Sequence, residues 1–200
     1  MCGRYFIDDG IDSAELHQII DEVNRKNMDA SVKVSGEIFP TDIVPVVAMN
    51  RSLIPTPFAM GWGYKLPNGK TVFNARSESA AEKPMFRDGM QQRRCVVPAT
   101  NYFEWEHGRT KIKYAIKLAS ANLFYMAGIY RLEGRNPVFS ILTRDPAESI
   151  AFVHDRMPVI LPHDLINDWI NPKNKAEELL NHAILEVTYS PAEPVQDRLI

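Results

Sequence analysis

Cysteine is scarce in this chain: 200 residues contain two, Cys2 and Cys95. A disulfide framework is excluded, and no Cys/His pair has the spacing of a zinc site. So few cysteines suit a reducing, intracellular compartment. Long hydrophobic runs are missing too. Apolar stretches such as 44–49 and 158–162 fall far short of the roughly 20 residues a membrane-crossing helix needs. The N-terminus lacks an apolar secretory core and carries Arg4, Asp8 and Asp9 early, so a cytoplasmic protein is expected. There is no repeat, low-complexity tract or linker. With 45% hydrophobic and 24% charged residues, the composition is that of an ordinary globular protein. A single domain over residues 1–200 is expected from the length.

Net charge is also nearly absent, at −2, but the charges are unevenly spread. Residues 83–117 carry eight basic side chains against three acidic ones, and residues 145–200 carry four against ten. A near-neutral total can conceal a basic face suited to a polyanion, although a mixed solvated surface gives the same counts.

Residues 2–7 read as a short strand. Asp12 or Ser13 can cap a following helix, whose Leu16, Ile19, Ile20 and Val23 recur at helical spacing. From about residue 31 to 141, short β-rich runs alternate with Gly, Pro and Asn signals. Segment 77–92 is partly helical, broken by Pro84 and Gly89. Pro158 and Pro162 bracket another strand, and 163–170 and 173–182 read as helices. The pattern predicts an α+β fold with a curved or barrel-like, mostly antiparallel sheet and flanking helices.

Four places could carry chemistry. Cys2 becomes the first residue if Met1 is removed, which presents an amine and a thiol on adjacent carbons. The amine can condense with an aldehyde and the thiol can close a thiazolidine. Their reference pKa values, about 7.7–8.0 and about 8.5, leave usable neutral amine and thiolate near pH 7. A buried early cysteine is the plain alternative. In Phe73-Asn74-Ala75-Arg76-Ser77-Glu78 a strand gives way to a helix. Ser77 would cap that helix, Asn74 could orient a reactive group without titrating, and Arg76 suits phosphate. In Asn101-Tyr102-Phe103-Glu104-Trp105-Glu106, alternation places Tyr102 and Glu104 on one face and Phe103 and Trp105 on the other. An inward Glu104 would have a raised pKa, whereas an outward one would be an ordinary edge carboxylate. Trp105 and Cys95 are assigned to the core. His154, followed by Asp155 and Arg156, is a candidate proton shuttle. His17, His107, His163 and His182 are assigned to solvent.

Taken in order, Met-Cys-Gly-Arg-Tyr at 1–5, Phe-Asn-Ala-Arg-Ser-Glu at 73–78, Tyr-Phe-Glu-Trp at 102–105 and His-Asp-Arg-Met-Pro at 154–158 resemble the SRAP family. These are the abasic-site processing proteins, formerly called SOS-response-associated peptidases. The resemblance implies a DNA-damage function: binding of single-stranded DNA at an abasic site, then a thiazolidine cross-link between Cys2 and the ring-opened sugar aldehyde. It also implies self-processing that removes Met1, the origin of the peptidase label. By the same resemblance Cys2 is the nucleophile, Asn74 orients it, Glu104 is the acid/base and His154 assists proton transfer. Arg4, Arg76 and Arg156 would contact phosphate, and Pro40, Trp62 and Met85 would form an apolar wedge against the flanking bases. No cofactor, metal or membrane partner is implied, and a monomer is expected. The residues Glu37-Ile38-Phe39 before Pro40 depart from the family's pattern. Two other classes share some of these features. An N-terminal-nucleophile glutamine amidohydrolase also starts Cys-Gly, and a non-enzymatic single-strand binder would use only the basic and aromatic residues.

Overall fold

The computed structural model describes residues 2–28, 31–107 and 111–192; Met1, Arg109 and the chain beyond 192 lie outside them. The first half of the chain runs β1 (Tyr5–Ile7), α1 (Ala14–Lys26), β2 (Gly36–Ile38), β3 (Ile43–Met49), β4 (Pro55–Trp62), β5 (Tyr64–Lys65), β6 (Thr71–Val72), β7 (Asn74–Arg76), α2 (Ser77–Ala80) and α3 (Pro84–Gln92). It continues with β8 (Arg94–Ala99), β9 (Asn101–Trp105), β10 (Lys113–Leu118), β11 (Phe124–Glu133), β12 (Asn136–Arg144), β13 (Met157–Pro158), β14 (Ile160–Leu161), α4 (Ile166–Ile170), α5 (Ala176–Leu180) and β15 (Val187–Pro191).

The larger sheet closes on itself. Strand β12 pairs with β4, β4 with β3, β3 with β8, β8 with β11, and β11 returns to β12. All these pairings are antiparallel except β4 with β12. Strand β7 continues the parallel pairing along β12, setting Asn74 opposite Ile141 and Arg76 opposite Thr143. Segment 157–161 bridges β11 and β12: Val159 N–H donates to the Leu142 carbonyl and Ala127 N–H donates to the Val159 carbonyl. A second sheet, in the order β15-β10-β9-β1-β2, is antiparallel throughout.

The residue pattern explains the layering. Strands β3, β8 and β11 are almost continuously apolar because they are buried on both faces. One set of their side chains, with Val46, Val97 and Met126, packs against Tyr5, Tyr102 and Ile116 of the second sheet. The alternate set, with Val47, Val96 and Ile129, packs against Phe86 and Met90 of α3 and Trp169 of α4. Buried Arg94 pins these helices, donating to the backbone carbonyls of Met90, Trp169, Asn171 and Asn174.

Local expectations hold in part. Ser13 caps α1, its hydroxyl accepting from Leu16 N–H at 3.2 Å. Pro84 starts α3 instead of breaking it, because its ring is compatible with the first helical turn. Gly89 lies inside α3, where a Cβ would sit 3.0 Å from Ile129 Cβ; its small size lets the helix approach β11. Ser77 is the first residue of α2 and not its cap; its hydroxyl reaches Glu78 at 3.2 Å. Among the described residues no helix is long and apolar enough to cross a membrane.

Two side chains expected at a DNA surface belong to the framework. Trp62 is fully buried, donates its indole N–H to the Phe73 carbonyl at 2.9 Å, packs edge-on to Tyr5 and stacks on Phe139. No base can reach it, which corrects its assignment to the wedge. Arg156 is 6% exposed. It grips both Glu78 oxygens at 2.5 and 2.7 Å, Asp145 Oδ1 at 2.7 Å and the Thr143 carbonyl at 2.7 Å. Its charge is already matched, so its place is between segment 154–158 and the β7–α2 junction, not on a phosphate.

Two outcomes follow from these placements. Trp62→Ala is expected to cost about 3–5 kcal/mol in denaturant unfolding, the usual loss for a buried large aromatic; wild-type stability would return Trp62 to the base contacts. Arg156 holds the Glu78 carboxyl at about 2, below its ordinary 4.5. A depressed carboxyl stabilises the fold above the unfolded value, and the contribution disappears as pH falls towards about 2. Glu78 is half exposed, so solvent screening reduces the size. Glu78→Gln should therefore be less stable than wild type at neutral pH, and unfolding curves on acidification should show the gap closing.

Candidate active site

The start of the chain is tied down before the first strand begins. Strand β1 inserts between β2 and β9, with Tyr5 opposite both Ile38 and Tyr102. This places Cys2 in the core at 0% exposure. Asn74, the first residue of β7 and itself buried, donates from Nδ2 to the Cys2 carbonyl at 2.8 Å. Asn74 Oδ1 is buried with no hydrogen-bond partner among the described residues. The Cys2 thiol points back at the Arg4 carbonyl, 3.8 Å away.

Glu104 takes the inward alternative. It lies on β9 opposite Tyr114 of β10 and is 3% exposed. Burial pushes its carboxyl up to about 7, and the Asp155 carboxylate adds to the rise. Burial also pushes the Cys2 thiol far up, with the Glu104 charge as the next contribution, so the two groups share one electrostatic pocket. Tyr102 feels both Cys2 and Glu104 and is likewise held protonated, chiefly by burial.

His154 closes this end of the site. Its Nδ1 lies 3.0 Å from the Arg156 N–H and 2.7 Å from Asp155 Oδ1. The first contact suits a neutral ring that accepts there, and the second suits an imidazolium that donates. Burial holds the pKa of the ring below its ordinary value, against the pull of Asp155. His107 is exposed, as expected, yet its ring centroid lies 4.7 Å from that of His154.

The predicted surface residues are more dispersed. Arg76 is exposed at the end of β7. Arg4 is half-buried, 3.3 Å from Glu37 Oε1, with its guanidinium over the rings of Phe39 and Trp105. Lys113 reaches the same Glu37 oxygen at 2.6 Å and lies over Phe103 and Trp105. Trp105 is thus half-buried on a basic, aromatic outer face and does not fill the core. Pro40 is half-buried between exposed Phe39 and Thr41, and Thr41 adopts a left-handed φ of 81°. Met85 is 37% exposed in the first turn of α3. Sequence reasoning missed Glu37, Glu78 and Lys113. Their signal was charge complementarity between segments far apart in sequence, which has no spacing to read.

The arrangement offers a carbonyl-anchored cysteine, a carboxyl group able to exchange protons near neutrality and an imidazole at the rim. Comparison with known proteins identifies the family. The pattern of the SOS response associated peptidase (SRAP) family matches residues 1–198. The abasic site processing protein YoaM of Bacillus subtilis (strain 168) is 33% identical over 199 residues, covering 92% of this chain and 86% of that protein. The abasic site processing protein YoqW of the same organism is 35% identical over 198 residues, covering 90% and 84%. A protein of Bacteroides thetaiotaomicron shares the fold, with a TM-score of 0.77 at 23% identity over 95% of this chain and 91% of that one. Sequence and fold together show that this chain belongs to the SRAP family.

Proposed function

We propose that this protein processes abasic sites in single-stranded DNA by forming a thiazolidine cross-link through Cys2 once Met1 has been removed. The observation that carries this reading is the shared pocket of Cys2 and Glu104, in which burial sets the carboxyl near pH 7 and Asn74 fixes the cysteine backbone. With Met1 in place the Cys2 nitrogen is an amide and cannot attack. Cleavage of the Met1–Cys2 peptide bond, the self-processing expected of a peptidase, yields an α-amine. Asn74 Oδ1, buried without a hydrogen-bond partner among the described residues, would accept a proton of that amine while Nδ2 keeps the carbonyl.

The chemistry then balances as follows. Ring opening of the sugar moves the proton of the C1′ hydroxyl to Glu104 and returns one to O4′, giving the aldehyde. The amine adds to C1′ and passes a proton to the Glu104 carboxylate, which returns it to the carbinolamine hydroxyl as water leaves and an iminium ion forms. The thiol sulfur adds to the iminium carbon, its proton passing to the Glu104 carboxylate, which leaves a neutral thiazolidine. His154 at the rim relays protons in either direction. Arg4 and Arg76 contact phosphates, and Pro40 and Met85 meet the flanking bases. Stacking on such groups tolerates any sequence.

Processed protein mixed with a single-stranded oligonucleotide bearing one abasic site is expected to give a shifted band on a denaturing gel. Cys2→Ala abolishes it. Glu104→Gln slows it by about 10²–10⁴-fold, the usual scale for a lost general acid/base. The wild-type rate should rise as pH passes about 7, where Glu104 becomes a base, and the Gln variant should lack that limb. A Cys2→Ala chain that still forms the band, or a strand bound equally well with and without the lesion, would sink the reading. Yield should also fall with added salt, because phosphate contacts precede the chemistry; a salt-independent yield would remove Arg4 and Arg76 from that role.

A further inference from the structure

We infer that His107, His154 and Asp155 form a site for one transition-metal dication at the rim of the pocket, and that an ion there suspends the proton transfer of His154. The ligand atoms of these three residues lie within 4.8 Å of one another. His107 follows β9, three residues beyond Glu104, whereas His154 and Asp155 arrive from the segment before β13. The donors therefore meet only in the fold, 47 positions apart, which is why no ligand spacing marks them in the sequence.

The chemistry of the set selects the ion. Two imidazoles and one carboxylate suit a borderline dication such as Zn²⁺, Co²⁺ or Ni²⁺ better than an oxygen-seeking Mg²⁺ or Ca²⁺. Zinc-like ions bind nitrogen and oxygen at about 2.0–2.2 Å, so their donors stand roughly 3–4 Å apart. His107 and Asp155 are both exposed, so packing does not hold their side chains back from a shared ion. The neighbourhood favours positive charge. Asp155 and Glu104 are acidic, and nearby Arg156 is already matched by Glu78 and Asp145. Three protein ligands leave the fourth position of a tetrahedron open to water.

An imidazole nitrogen whose lone pair binds a metal cannot take a proton. Occupancy would thus switch off the relay without touching Cys2. This regulatory half rests on the cross-linking role proposed above; the metal site does not.

The test uses the full chain carrying Cys2→Ala, so that no aminothiol competes for the ion. Titration with Co²⁺, followed by visible d–d absorption and calorimetry, should saturate at one ion per chain. His107→Ala and Asp155→Asn should each weaken binding by about 10–100-fold or more, since changes in the outer shell alone do as much. No uptake, or uptake unchanged in both variants, overturns the site. For the regulatory half, one equivalent of Zn²⁺ should slow cross-linking by processed wild type, and a chelator should restore it. His107→Ala should match wild type in chelator and resist Zn²⁺. Bound metal without slowing overturns the regulation. Wild type that forms no cross-link even in chelator instead overturns the proposed function, and the Co²⁺ titration still decides the metal site.

Discussion

The hydrogen bond from the Asn74 amide to the Cys2 carbonyl joins the first residues of the chain to the closed sheet, and the site is organised around it. A chain terminus is ordinarily the most mobile part of a fold. Here β1 is held on both edges, by β2 and β9, and Asn74 adds a fixed point on the far side. Asn74 is in turn fixed because β7 runs parallel to β12, and β12 is the strand that closes the ring. Arg156 then fastens the segment carrying His154 to the helix that follows Asn74 through Glu78, and to the end of β12 through Asp145 and the Thr143 carbonyl. Three stretches far apart in sequence are thereby set against one another by directional bonds in a low-dielectric interior, where such bonds are strongest.

That interior also decides the protonation states. Cys2 and Glu104 each lose the stabilising water of their anionic forms, and the Glu104 charge makes ionisation of Cys2 harder still. The pocket therefore disfavours two negative charges at once. The thiol is the weaker acid, so the carboxyl is the member that titrates near neutrality.

Much of this was legible from residues alone. Alternation along β9 gave two alternatives for Glu104, and the short β-rich runs between Gly, Pro and Asn signals gave the mostly antiparallel sheet. The helix at Ser13 was visible because its cap is local. Trp62 and Arg156 were misplaced for a common reason. Each was placed at the DNA by resemblance to a family, and resemblance does not say whether a side chain turns towards water. Trp62 turns inward because Tyr5, Phe73 and Phe139 enclose its ring and the Phe73 carbonyl satisfies its N–H. Arg156 turns inward because Glu78 and Asp145, 78 and 11 positions away, wait for it. Trp105 erred in the opposite direction: an aromatic residue in an apolar strand faces outward because two cations cover its ring.

The enclosure of Cys2 has a consequence for durability. Peroxides and other oxidants attack thiolates, and their reach depends on exposure. A sulfur at 0% exposure, kept in its neutral form by burial and by a neighbouring carboxylate, is resistant on both counts. Cys95 is as deeply enclosed, pressed against the backbone at Gly128. Both thiols of the chain are thus shielded from oxidants by the fold itself.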